Sequence, residues 1–399
     1  MNDVLHPGLL PAGMHDLLPP EAEVEALCVS RLMAVLAAHG YERVKPPLVE
    51  FEDTLFAGAG AAMGSRTFRT MDPASHRMVG VRADMTPQIA RIAATRLGHL
   101  PRPLRLSYAG QVLRVSGSEI RPERQVGQAG AELIGAAGPA ADVEVIGIAG
   151  EALAAIGVSE LSVDITLPTL VPAIAQAYEL PGPLVASLRA VLDHKDVAAV
   201  SDLANAAGTK EVGEVLCALL AAAGPAEAAR MALERLKLPA GARDEAAPLG
   251  AVLDGLAAAV PGLKVTVDPV ENRGFEYHTG ISFTFFARSD PAKGPLGELG
   301  RGGRYVAGDP AAPEPATGFS LYTDTILRTL PEPAPRRRVL LPLGAAQEEG
   351  RRLRGEGWIT VAAMSGAADW RAEARRLRCT HLLEHGAPVP VQRPAADGG

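Results

Sequence analysis

Three short stretches set unlike polar groups into apolar surroundings. In VRADMTPQIAR, Asp84 stands two residues before Thr86; in RQVGQAGAELIG, Gln128 and Glu132 share one alternating run; in NRGFEYHTG, Arg273, Tyr277 and His278 lie close together. Singly they fit a surface turn at Asp84, an edge-strand charge at Glu132 and a simple ion-pair partner at Arg273; together they include the groups that a site for a free amino acid would need. An ammonium needs a carboxylate and neutral acceptors, a carboxylate needs a guanidinium, and a polar side chain needs its own partner, with every buried group satisfied. All of these groups are present here.

The elements around them must bring them together. Apolar residues recur at helical spacing from Glu21 to His39, after Pro19 and Pro20 and before Gly40, which predicts a capped amphipathic helix. GYERVKPPLVEF reads as a strand broken by prolines. PLRLSYAGQVLR (103–114) and RQVGQAGAELIG (124–135) read as two strands joined by a polar loop, an antiparallel hairpin. From about 167 to 259 the composition turns rich in alanine and leucine, as in LVASLRAVLDHKDVAAVSDLANAA, and predicts a helical segment. Strand pattern resumes in LKVTVDPV, RGFEYHTGISFTFFA and GELGRGGRYVAG. After the proline-rich PEPAP, residues 336–391 alternate strand and helix. The expected fold is α+β: an antiparallel sheet flanked by helices in residues 1–330, a linker over 331–338, and a small α/β domain over 339–399.

Composition narrows the class. With 399 residues, 47% hydrophobic and 21% charged, the chain is globular and long enough for more than one domain. A net charge of -7 argues against a chain whose main task is gripping phosphates. Cys28, Cys217 and Cys379 form no CxxC pair, so neither a disulfide framework nor a structural zinc site is expected, and the reducing cytoplasm suits them. The first residues lack the pattern of a signal peptide, and no apolar run is long enough for a membrane span. GRGGRYVAG lacks the following lysine and the strand-to-helix setting of a phosphate cradle. Neither a metal nor a cofactor is expected.

Taken in order, LPAGMHDLLPPEA, GYERVKPPLVEF, VRADMTPQIAR, the hairpin from Arg114 to Gly135, and RGFEYHTGISF followed by GRGGRYVAG resemble the histidyl-tRNA synthetase family. The resemblance covers roughly residues 10–328 and implies a class II aminoacyl-tRNA synthetase-like sheet. It also implies a histidine pocket. Asp84, Thr86 and Gln128 would receive the ammonium, Glu132 would face the imidazole, and Arg273 would pair with the carboxylate, flanked by Tyr277 and His278. The family more often has Glu at position 84 and Tyr at position 278. Arg114 stands where the family's second motif has its phosphate arginine, at the margin of this set.

The same resemblance exposes what is missing for ATP chemistry. Ser116 replaces an acid, Gly127 replaces a histidine, and in TGFSLYTDTILR the third motif has Tyr322 for glycine and Thr325 for the arginine that binds the outer phosphate. Arg328, one turn on, is a poor substitute. A histidine pocket without ATP machinery resembles the family's non-catalytic paralogues, the regulatory subunits of ATP phosphoribosyltransferase. That resemblance implies a short-form catalytic subunit as partner, L-histidine as effector of feedback inhibition in histidine biosynthesis, and a homodimer within a hetero-oligomer, paired through GYERVKPPLVEF. Residues 336–399 hold eleven Arg against seven Asp or Glu. That charge is read as a solvated face, so neither tRNA nor membrane is an expected partner. A divergent histidyl-tRNA synthetase and a stand-alone histidine sensor are the alternatives left open.

Overall fold

A computed structural model describes residues 8–117, 122–271, 277–288, 297–309, 311–331 and 336–391. Arg273 lies outside them, as does the middle of the linker. The chain divides into two compact units, Met1–Leu330 and Pro331–Gly399.

The first unit is built on a nine-stranded sheet. In spatial order its strands are Glu42–Arg43, Leu104–Leu113, Gln125–Ile134, Ala312–Tyr322, Gly300–Asp309, His278–Ala287, Leu161–Thr166, Lys264–Asp268 and Gly224–Pro225. The central pairings are antiparallel, including the hairpin Leu104–Leu113 with Gln125–Ile134. GYERVKPPLVEF divides, as its prolines require, into Glu42–Arg43 of this sheet and Val49–Phe51 of a separate three-stranded sheet.

Side-chain alternation assigns the two faces of the large sheet. Ala129, Ala131, Leu133, Val163, Ile165, Phe283, Phe285, Phe319 and Leu321 turn one way and join the helices Glu21–Ala38 and Pro139–Ala155 in the main core. Leu104, Leu106, Tyr108, Tyr305, Ala316 and Tyr322 turn the other way and pack under Met85 and Ile89. Met85 and Ile89 belong to the start of the helix Thr86–Thr95 and the turn before it, with Pro87 in the first turn, where its missing N–H is no loss. Each fully buried Leu or Ile contributes about 1.5–3 kcal/mol. The chemistry of the opening stretches therefore sits on the second face, beneath this short helix.

Seven helices between Leu170 and Ala259 separate Leu161–Thr166 from Lys264–Asp268. Those two strands are parallel neighbours. A parallel pair cannot be joined by a tight turn, so a crossover is required, and the helical segment supplies it. Among the described residues no helix is long and apolar enough to cross a membrane, and no cluster of His, Cys, Asp or Glu could hold a metal ion.

The second unit has a four-stranded sheet in the order Ile359–Ala362, Arg338–Leu341, His381–Glu384, Ala387–Pro390. Two helices, Gln347–Gly355 and Trp370–Arg376, provide the crossovers between its parallel strands. The strand and helix alternation gives way at the end to a tight hairpin. His385 and Gly386 both adopt positive φ, 50° and 78°, which reverses the chain in two residues.

Candidate functional site

Register gathers the polar residues. Glu132 is opposed by Leu106 on one side and Gly318 on the other, and Gly318 in turn by Gly303. One row along, Tyr108, Gly130, Ser320, Arg301 and Thr284 stand side by side across five strands. His278 opposes Tyr305. Directly opposed residues share a face, so these two rows and the His278–Tyr305 pair form one polar floor.

Glu132 is the centre of that floor and only 1% exposed. Tyr108 Oη donates to its Oε1 at 3.0 Å and Tyr305 Oη to its Oε2 at 2.9 Å. A longer relay stands behind Tyr108. The Met85 N–H donates to Gln128 Oε1 at 3.0 Å, which orients the amide so that Nε2 donates to Ser320 Oγ at 2.6 Å. Ser320 Oγ lies 3.0 Å from Tyr108 Oη, and Thr86 Oγ1 lies 3.3 Å from it. Burial pushes the Glu132 carboxyl up to about 8; the bonds from Tyr305, Thr86 and Tyr108 pull it down without cancelling that effect, and the nearby Asp84 raises it further. At neutral pH it holds a proton.

Two glycines make the room. A Cβ at Gly318 would fall on the Glu132 carboxylate, far inside contact distance, and one at Gly130 would come within 2.6 Å of Tyr108 Oη. The glycines of this sheet face are thus the complement of its large buried polar groups.

Asp84 does two things. Its Oδ1 accepts from the Thr86 N–H at 2.8 Å, fixing the turn that starts the helix, and its side chain lines a cavity over the floor. Thr86, Glu132, Tyr277 and His278 line it as well. The Tyr277 ring lies 4.2 Å from that of His278 and 6.2 Å, edge on, from that of Tyr305. The cavity measures about 30 Å³, room for a water or two.

Of the residues singled out in the sequence, Asp84, Thr86, Glu132, Tyr277 and His278 meet at this cavity. Gln128, 1% exposed, stands behind it with both ends of its amide engaged. Arg114 is outside the lining; its Nε donates to Ala83 O at 3.4 Å, and its guanidinium sits 5.6 Å from the Tyr322 ring centroid. Tyr322, 3% exposed, is a wall of the cavity. Thr325 is buried on the helix Thr323–Thr329, and Ser116 is exposed. Position 127 opens on the other face of the sheet, toward Thr323 and Glu25, so Gly127 does not bear on the cavity.

Sequence reasoning missed Tyr108, Ser320, Arg301 and Tyr305. Arg301 lines the cavity while its Nε donates to Glu298 Oε2 at 2.9 Å. Counting in twos from Glu132 along the hairpin would have reached Tyr108. The other three belong to strands whose register is not local.

Comparison with known proteins places this geometry. A family model described as histidyl-tRNA synthetase matches residues 13–326. The ATP phosphoribosyltransferase regulatory subunit of Rhodospirillum centenum is 54% identical over 384 residues, 96% of each chain. That of Paramagnetospirillum magneticum is 52% identical, covering 98% of this chain and 100% of its own. Among solved structures, histidyl-tRNA synthetase from Nostoc matches with a TM-score of 0.76 at 16% identity, covering 94% of this chain and 90% of that one. A protein from Bacillus halodurans described as an ATP phosphoribosyltransferase regulatory subunit/histidyl-tRNA synthetase matches with a TM-score of 0.75 at 23% identity, covering 92% and 96%. The fold is the class II synthetase-like α+β fold.

Proposed function

The chain belongs to the histidyl-tRNA synthetase family, in the branch of the ATP phosphoribosyltransferase regulatory subunits, and from that premise we propose that it binds L-histidine and regulates a short-form ATP phosphoribosyltransferase without catalysis of its own. Asp84 and Thr86 take the ammonium, with Gln128 holding their surroundings in place. Glu132 faces the imidazole beside Tyr277 and His278, and Arg273 takes the carboxylate. Arg114 serves as the outer edge of the same site. Bound histidine then inhibits the first step of histidine biosynthesis.

The observation that supports this most is the pairing of an acid-lined cavity with a buried tyrosine. Asp84 and Glu132 suit a small cationic amine, while Tyr322 occupies the wall that faces Arg114, and Thr325 brings no cation to the neighbouring helix. A site for ATP needs the reverse, cations and open space.

Regulation follows as linkage. Histidine bound here shifts an assembly whose other member does the chemistry, with a coupling of about 1–3 kcal/mol, or about 5- to 150-fold. The assembly is a cytoplasmic hetero-oligomer containing a homodimer of this chain, paired through the GYERVKPPLVEF region, with no part for tRNA or a membrane. The residue 331–338 segment links the histidine-binding domain to the C-terminal one. The test is the initial rate of phosphoribosyl-ATP formation by a short catalytic chain, with and without this protein, across a histidine titration. The catalytic chain should be nearly inactive alone, active with this protein, and inhibited again by histidine. A catalytic chain equally fast alone sinks the regulatory reading and leaves the stand-alone sensor.

A further inference from the structure

The cavity has more than one acid and, among the described residues that line it, one cation. Asp84 and Glu132 are the acids; Arg301 is the cation. Arg301 reaches this place because strand register opposes it to Ser320 and Thr284, on the face that carries Tyr108 and Glu132. Its side chain is 31% exposed, so it is neither locked into the core nor free in solvent. Glu298, three residues before it and 18% exposed, pairs with its guanidinium through Nε and Nη2. Tyr277 and Tyr322 stand near enough to feel its charge.

A zwitterion in such a cavity has its two ends sorted by charge. The ammonium is drawn to Asp84, and the carboxylate is driven off it by like charge and toward the nearest guanidinium. That guanidinium already holds a carboxylate through the two nitrogens that a ligand carboxylate would use.

We propose that Arg301 is a second anchor, in addition to Arg273, for the carboxylate of the bound amino acid, and that Glu298 occupies Arg301 in the empty site and is displaced by the ligand. This inference rests on the reading of the cavity as a histidine site. Glu298 has two roles: it keeps a half-buried guanidinium paired when no ligand is present, and it sets a threshold, because the incoming carboxylate must compete with it. An amino acid then binds more weakly than its contacts alone would give. A ligand that lacks the carboxylate cannot displace Glu298 and gains nothing from Arg301.

Calorimetry on the full chain tests this with L-histidine and L-histidinol, which carries a hydroxymethyl group in place of the carboxylate. Arg301→Gln should weaken histidine about 10- to 100-fold, the range of a charge-assisted hydrogen bond, and leave histidinol within about twofold. Glu298→Gln should tighten histidine up to about fivefold, as expected for loss of a partly exposed competing pair, and again spare histidinol. Arg301→Lys, which keeps the charge and loses the fork, should fall between. If Arg301→Gln fails to fold, Arg301→Lys and Glu298→Gln carry the comparison. Equal weakening of both ligands by the Arg301 variants, or no change in either, overturns the anchor while the cavity reading stands. A wild-type protein that binds neither ligand overturns the cavity reading, and this inference with it.

Discussion

Glu132→Gln separates the acid's ability to ionise from its shape. The amide fills the same space, and one of the two tyrosines must turn its hydroxyl to accept where both now donate. In the native chain the carboxyl sits at about 8, against 4.5 for the free side chain, chiefly because burial penalises its charged form. The sign follows from proton counting. Between the two values the folded state holds a proton that the unfolded state has released, so stability falls as pH rises through this window. Protonated Glu132 thus contributes its full stability below about pH 4.5, and that contribution is gone above about pH 8. At about 1.4 kcal/mol per pH unit the ceiling is about 5 kcal/mol. An amide at this position cannot ionise, so the variant lacks this slope and gains on the wild type as pH rises. Urea unfolding of both proteins from pH 5 to 9 measures the difference. The histidine affinity should fall in the same variant, because the amide, unlike the acid, cannot give up a proton to become the carboxylate that a bound imidazolium would favour, while activation of the catalytic partner is kept. Parallel stability profiles for the two proteins would refute the argument, since they would mean that Glu132 is ionised throughout and that its tyrosines suffice to hold the charge.

Gly318→Ala drives a methyl group into the Glu132 carboxylate; it should cost about 3 kcal/mol and abolish histidine binding, and unchanged melting and affinity would show that the floor gives way more easily than its register implies. Histidine-dependent exchange of pyrophosphate into ATP should be absent, and Thr325→Arg alone should not restore it, because Tyr322 still walls the cavity; exchange above background in the unmodified protein would return the synthetase reading to first place.

Much of the site was legible because its residues lie in short contiguous words. Asp84 and Thr86 sit two apart, Gln128 and Glu132 share one strand, and alternation along that strand already put them on one face. The hairpin was legible for the same reason. Arg301, Ser320 and Tyr305 were not, since what brings them to the cavity is the pairing of Gly300–Asp309 with Ala312–Tyr322, and of that strand with Gln125–Ile134, almost two hundred residues away in sequence. No local pattern carries that register. Gly127, a motif position that the sequence marks only as a replaced histidine, faces away from the cavity, because the pleat turns it to the opposite face. The closing hairpin of the second unit was hidden because its turn pair is His385-Gly386 and not the Asn-Gly or Asp-Gly by which a two-residue turn is most readily read.

A cavity of about 30 Å³ has a further consequence for how concentration is sensed. Under the proposed function, histidine would bind those molecules in which the lining has parted to admit it. The apparent dissociation constant is then the intrinsic one divided by the fraction that is open, and each tenfold scarcity of open molecules raises it tenfold, equivalent to about 1.4 kcal/mol. On that reading the set point of the proposed feedback would be held by the ease of opening as much as by the contacts. Substitutions that touch no ligand but loosen the helix Thr86–Thr95 over the sheet would then lower that set point, retuning the threshold while every lining residue stays as it is.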